Sequence, residues 1–177
     1  LDGELIDCNN LVHKIREIKS KWEIEQMRNS AEIQLEMFDS VAALGCEGIT
    51  ELELTASAEA ISRAAGFGGT IAMRRYPMQC NRGVVVAGRS GGIPSFFDAA
   101  IGGTGSYSGS GMGSGFRKIK QGEPVLVDLL HAHRGYIVDM TRMFVVGRLS
   151  KEWIERLDDM QTIKEVVVDA LDQRKTC

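Results

Sequence analysis

The sequence predicts an α+β fold in which an antiparallel sheet, built around one β-hairpin, packs against amphipathic helices. Three observations carry this. Two capping boxes, Ser20–Glu23 and Thr50–Glu53, each open a run of apolar residues at helical spacing. Two long aliphatic and β-branched runs, 124–131 and 136–146, are joined by the short link Ala132-His133-Arg134-Gly135, which makes them a hairpin. Finally, 177 residues with 44% hydrophobic and 25% charged side chains suffice for one domain with a real core and are too few for two large ones.

The elements follow in order. The first nineteen residues are mixed in charge and weakly patterned, and read as a lead-in rather than an element. Ser20 then caps a helix with Glu23 reaching back, and Ile24, Met27, Ala31, Leu35, Phe38, Val41 and Ala42 keep helical period up to a stop at Gly45. Thr50 and Glu53 open a second helix through Leu54, Ala58, Ile61 and Ala65, ended by Gly66. Residues 70–79 read as a strand, and Val84-Val85-Val86 as a second one bounded by glycines. After the hairpin, Ser150 caps a third helix carrying Ile154, Leu157, Met160, Val167 and Leu171.

Composition excludes several functions. The formal charge of −3 lacks the electrostatic footprint of a nucleic-acid binder. No apolar run reaches bilayer-spanning length, and the N-terminus has no signal-peptide layout, so no membrane partner is expected. Cys8, Cys46, Cys80 and Cys177 are scattered without Cys-x-x-Cys spacing and read as free thiols in a reducing cytoplasm.

Residues 91–115 are rich in glycine and serine, with seven glycines between Ile101 and Gly115. A Walker loop would need a Gly-Lys-Ser/Thr end, which is absent. A dinucleotide fingerprint fails as well, because Gly103 and Gly105 are followed by Ser108 at the sixth place, and Gly109 and Gly111 by Ser114. The stretch reads instead as a mobile or substrate-facing surface loop.

The chemistry is concentrated in Asp128 and Asp139, each of which interrupts an aliphatic run where a lone charge is costly to bury. A turn at His133-Arg134 would place them directly opposite one another, with Cβ atoms roughly 5 Å apart on one face. Like charges so placed need a shared proton, a basic neighbour or a cation. Arg142 falls on the other face of a regular strand and is a poor neutraliser. Three readings remain open on these residues alone: a divalent metal, a proton-sharing pair, or two unrelated aspartates of which one sits at a frayed end. His131 and His133 leave the Asp128 face by alternation and read as exposed turn residues.

The segment Ile18-Lys19-Ser20-Lys21-Trp22-Glu23-Ile24-Glu25-Gln26-Met27-Arg28 resembles the opening of the catalytic domain of the creatinase/aminopeptidase, or pita-bread, metallohydrolases. These include Xaa-Pro aminopeptidases, prolidases and methionine aminopeptidases. Val125-Leu126-Val127-Asp128, followed by Gly135-Tyr136-Ile137-Val138-Asp139-Met140-Thr141-Arg142-Met143-Phe144-Val145-Val146-Gly147, resembles the family's paired aspartate motif. The resemblance implies that Asp128 is a ligand of one metal ion and Asp139 a bridge between two, of the manganese, cobalt, zinc or iron type. It further implies hydrolysis of N-terminal peptide bonds through a dimetal-bound water, and a peptide substrate. The opening motif favours the Xaa-Pro aminopeptidase/prolidase branch.

Two departures accompany the match. The family draws a histidine and two glutamates from the second half of a pseudo-twofold domain, and no histidine follows His133. The chain therefore resembles the N-terminal half of a pita-bread domain over 19–177, the C-terminal half being missing and 1–18 serving as linker. As written it is expected to be inactive, with weak or absent metal binding. Ser95, after Pro94, stands where the family often has a substrate-handling histidine. That substitution suits the rival reading, a non-catalytic pita-bread module that binds peptides or proteins. Half a sheet leaves an apolar edge and an uncovered face, so a homo-oligomer, a dimer in the simplest case, is expected.

Overall fold

The computed structural model describes residues 3, 6–69, 71–72, 79–80, 83–95 and 101–174. In chain order these form α1 (Asn9–Glu17), α2 (Lys21–Leu44), α3 (Glu51–Ala64), β1 (Ile71–Ala72), β2 (Gln79–Cys80), β3 (Gly83–Ala87), a 3-10 turn (Gly88–Gly92), β4 (Pro124–His133), β5 (Tyr136–Val145) and α4 (Lys151–Asp172). The architecture is the expected α+β one. Helices α2 and α3 lie on one face of an antiparallel sheet of order β3-β4-β5, and β1 pairs antiparallel with β2 as a separate ribbon. Of the strand expected over 70–79, the two ends lie in β1 and β2; the rest falls outside the described residues.

Both capping boxes form. Ser20 Oγ accepts from the Glu23 amide at 3.3 Å while Glu23 Oε2 accepts from the Ser20 amide at 2.7 Å. Thr50 and Glu53 repeat the arrangement at 3.1 and 2.8 Å. Each box satisfies two amides that would otherwise have no acceptor in the first turn. Gly45 caps the end of α2, and Gly66, at φ 96°, turns the chain after α3.

The lead-in, expected to hold no element, contains one. Asp7 Oδ1 accepts from the Asn9 amide at 2.9 Å and starts α1, and Lys14 and Arg16 sit favourably in its last turn. Its apolar residues face solvent: Leu11 and Ile15 are 61% and 68% exposed. Leu11, Val12 and Ile15 do recur at helical spacing, so the signal was present in the sequence, but the stripe they form faces solvent.

The buried face of α2 also differs from expectation. Ile24, Leu35 and Ala42 are exposed, whereas Gln26, Ser30 and Gln34 are buried. The reason lies in β4. Ser30 Oγ donates to the His131 carbonyl at 2.9 Å, and Gln34 Nε2 donates to the Leu129 carbonyl. The first half of α2 thus binds the sheet backbone through polar side chains. Its second half supplies Met37, Phe38 and Val41, which join Leu54, Ala58, Val85, Ala87, Ile119, Val125, Val127 and Leu129 in one core. Phe38 stacks on Phe144 of β5 at 6.2 Å between centroids.

The 101–115 stretch is folded back on itself. The Gly105 amide donates to the Gly113 carbonyl at 3.0 Å and the Gly113 amide to the Gly102 carbonyl at 3.0 Å. Gly102 is required by packing, since a Cβ there would overlap the Ile93 carbonyl. Gly103 adopts φ 104° and also lies too near the Gly113 carbonyl to admit a Cβ. Backbone proximity, not an anion, accounts for these two glycines.

Ser150 caps α4 as expected, yet α4 buries none of its residues. Ile154, Met160 and Leu171 are 49%, 55% and 66% exposed. Among the described residues, no helix is long and apolar enough to cross a membrane.

Candidate metal centre

The β4–β5 hairpin turns on Arg134 at φ 51° and Gly135 at φ 86°, the pair of positive φ values that a two-residue hairpin turn matched to strand twist requires. His133 therefore pairs with Tyr136, and the ladder continues as Leu130 with Asp139 and Asp128 with Thr141. The expected direct pairing of Asp128 with Asp139 is thus corrected by two residues. The turn lies one residue later than its place in the sequence reading, and each residue of displacement moves the pairing by two. A shift of two preserves the face. Asp139, opposite Leu130, remains on the Asp128 side of the sheet as its diagonal neighbour.

Thr141 Oγ1 donates to Asp128 Oδ1 at 2.5 Å, giving Asp128 a fixed neutral partner. Asp139 has no such relief. Desolvation, then the adjoining Asp128 charge and a hydrogen bond with it, hold its carboxyl above the usual range, against a smaller opposite effect from the Met140 amide. Among the described residues neither aspartate has an ion-pair partner. Arg142, as expected, is turned away: its guanidinium lies over the Phe38 ring at 5.9 Å, on the helix-covered face.

Two carboxylates in unrelieved proximity suit a hard divalent cation in charge and donor type. The described residues include no group of three or more His, Cys, Asp or Glu side chains placed to hold a metal. The residues present therefore fit as two ligands of a larger set. Asp128 is half-buried and Asp139 exposed, so the pair is open to solvent.

The two histidines beside the turn correct the expectation of exposure. His133 is half-buried, and His131 is completely buried on the helix side of the sheet. His131 Nδ1 lies 2.9 Å from Ser62 Oγ, and its ring meets Phe67 edge-on at 5.7 Å. Burial, with a smaller effect from His133, lowers its pKa from the ordinary value and favours the neutral imidazole. Alternation gave the correct face; what it could not show was that α2 and α3 cover that face up to the turn.

Ser95 is half-buried, its Oγ donating to the Ile101 carbonyl at 3.4 Å just beyond the 3-10 turn. The neighbouring Phe96 and Phe97 lie outside the described residues. The thiols of Cys8 and Cys46 are free and exposed.

A further buried carboxylate escaped the sequence reading. Glu51, fully buried at the first position of α3, accepts from the Ala87 amide at 2.8 Å, from Ser90 Oγ, and from the Gly115 amide at 3.1 Å. It ties the start of α3 to the end of β3, the 3-10 turn and the close of the glycine loop. The signal was present: the capping box needs only Glu53, which leaves Glu51 without an assigned task.

This half-open, helix-backed antiparallel sheet with an acidic pair on its free face is that of a pita-bread metallohydrolase. The model of Metallopeptidase family M24 matches residues 25–177, and the chain belongs to that family, whose members are divalent-metal-dependent hydrolases of peptides. No curated protein matches the chain. Among solved structures, the X-Pro aminopeptidase from Thermotoga maritima is similar at TM-score 0.65 and 23% identity, over 87% of this chain and 37% of that one. The Xaa-Pro dipeptidase from Bacillus anthracis gives 0.66 and 23%, over 88% and 37%. The prolidase from Pyrococcus furiosus gives 0.63 and 23%, over 83% and 36%. The chain thus spans a little over a third of the length of these structures, and its fold is that of half a pita-bread domain.

Proposed function

We propose that this chain is the metal-carrying first half of an Xaa-Pro aminopeptidase or prolidase-like dipeptidase, residues 19–177 forming that half and 1–18 its linker. The observation that carries the reading is the position of Asp139 beside Asp128 on the free face of the sheet, with its carboxyl held above the usual range by desolvation and by that neighbour. Family membership supports it.

Asp128 and Asp139 are the protein ligands this chain would give to a two-ion centre of manganese, cobalt, zinc or iron. Such ions, when bound, supply Lewis-acid activation of water and of the scissile carbonyl. The chain's own contribution is orientation. Thr141 holds Asp128 Oδ1, and the register set by the two-residue turn puts both aspartates on one face. Ser95, which stands where the family often has a substrate-handling histidine, would offer the substrate a hydroxyl in place of an imidazole. The exposed thiols of Cys8 and Cys46 support a reducing, cytoplasmic setting.

Two carboxylates alone hold a divalent ion weakly, so the 177-residue chain is expected to bind Mn2+ in the millimolar range and to hydrolyse no dipeptide. Mn2+ titration by electron paramagnetic resonance, with turnover of a proline dipeptide, tests this. Loss of Mn2+ binding in Asp128→Asn and Asp139→Asn supports the reading. Binding that survives both substitutions overturns it, and binding of a proline peptide without any metal would favour the non-catalytic module.

A further inference from the structure

The glycine-rich ribbon lies on the same side of the sheet as the acidic pair. In β3 the side chains of Val85 and Ala87 enter the core, so Val84 and Val86 project from the opposite, acid-bearing side. Val84 pairs with Asp128 across the ladder, and Val86 with Leu126. Val86 is nevertheless only 1% exposed, because the 3-10 turn folds over it and a Cβ at Gly91 would meet its Cγ2 at 3.4 Å. Beside it, a Cβ at Gly113 would lie 3.7 Å from Val84 Cγ2. Turn and ribbon are joined to each other as well, the Gly103 amide donating to the Ile93 carbonyl at 3.1 Å. Together they stand as a wall over β3, and Asp128 lies at its foot.

The wall is pinned along the outer margin of β3. There the Val85 amide donates to Ser114 Oγ at 2.8 Å, and the same oxygen shares a hydrogen bond with Thr55 Oγ1 of α3 at 2.5 Å. The Gly115 carbonyl accepts from the Leu52 amide at 3.0 Å, while the Gly115 amide is held by Glu51. These contacts involve nothing outside residues 51–128, and so are independent of whatever adjoins β5.

We propose that this wall sets substrate specificity: it bounds the substrate site on its Asp128 side and limits the group bound there to one residue with a small side chain, Ser114 being the positioning residue that holds the ribbon. The inference rests on the peptidase function proposed above. One strand spacing, about 4.8 Å, separates Asp128 from Val84, and the ribbon begins beyond Val84. An extended residue takes up about 3.3–3.6 Å, so a second residue or an aromatic ring would meet the glycine backbone. That backbone is bonded to itself at Gly102, Gly105 and Gly113 and cannot swing aside as a side chain could.

Two measurements test this. In the 177-residue chain, Mn2+ is expected to broaden the NMR signal of the Gly113 amide together with those of Val84 and Asp128. A Gly113 signal left sharp while Val84 and Asp128 broaden overturns the wall and leaves the metal reading standing. No broadening at Asp128 overturns the metal reading, and the wall with it. In the complete enzyme that the proposed function implies, Gly-Pro, Leu-Pro and Phe-Pro enlarge the amino end of the substrate, and Gly-Pro-Gly and Gly-Pro-Phe the carboxyl end. Enlargement at one end is expected to lower kcat/KM, and Ser114→Ala, by releasing the ribbon, to recover about tenfold of that loss, chiefly through KM. A wild type that accepts every size equally overturns the proposal, as does a folded Ser114→Ala that discriminates as the wild type does. A wild type that cleaves none of these peptides overturns the peptidase reading on which the proposal rests. If Ser114→Ala fails to fold by circular dichroism, the broadening pattern decides.

Discussion

Ser62 and His131, 69 positions apart in the chain, meet in the core with Oγ and Nδ1 2.9 Å apart. The serine lies on α3 and the imidazole near the end of β4, so this bond links the second helix of the core to the central strand next to the hairpin turn. Ser62→Ala leaves a buried ring nitrogen without its partner and is expected to cost about 1–3 kcal/mol, read from the urea midpoint. A change within experimental error would show that the bond contributes nothing net.

The same imidazole makes stability depend on pH. Its folded-state pKa is lowered by burial, so the unfolded chain binds the proton more readily. The stabilisation is present above the unfolded value of about 6.5 and is lost as pH falls below it through the folded value. Denaturation at pH 7.5 and at pH 5 should show a larger acid loss for the wild type than for His131→Asn. Equal losses in both would exclude His131 as the source.

Glu51 is expected to be the least replaceable acid in the chain. Glu51→Ala strands the Gly115 amide and leaves the Ala87 amide and the Ser90 hydroxyl only the longer bonds between these two residues, at 3.2 and 3.3 Å, where a buried group without an acceptor costs about 1–3 kcal/mol. A loss of about 3 kcal/mol or more is expected in equilibrium unfolding. A loss below about 1 kcal/mol would mean that water replaces the carboxylate there.

Gly102→Ala places a methyl group into the Ile93 carbonyl, a backbone atom that cannot swing aside. Overpacking of this kind costs about 1–3 kcal/mol. Gly92→Ala, which meets nothing nearby, is the comparison and should melt close to the wild type. Equal melting temperatures for the two variants would contradict the close approach.

Removing either partner of the carboxylate pair should separate charge relief from metal binding. Asp139→Asn is expected to raise the melting temperature slightly without metal, since Asp139 is exposed and screened, and to abolish the rise produced by Mn2+. A variant that Mn2+ still stabilises would place the ion elsewhere.

Much of the fold was legible because its signals are local. The capping boxes marked the starts of α2 and α3, and the two aliphatic runs marked the hairpin. What local pattern could not convey was tertiary. The turn centre depended on Arg134 accepting a left-handed conformation that arginine rarely adopts, so the pairing of Asp128 was misjudged by two while its face was right. Ser30 and Gln34 lay outside the apolar pattern read for α2, because nothing in an isolated helix announces sheet carbonyls waiting for donors. Asp7 holds the first amide of a helix whose stripe has no core to face, and Glu51 stood hidden beside a better-known neighbour.

The two-residue turn is also a parity lock on the site. With β4 held in place, one residue inserted at Arg134-Gly135 would exchange the two sides of β5, driving Asp139 and Thr141 under α2 and expelling Phe144 from its stack on Phe38. Two inserted residues would slide Asp139 along the strand yet leave it on its own side. Residues taken up into β5 with the loop kept at two should therefore be ruinous when odd and tolerable when even, whereas residues absorbed by a longer loop would leave the register as it is.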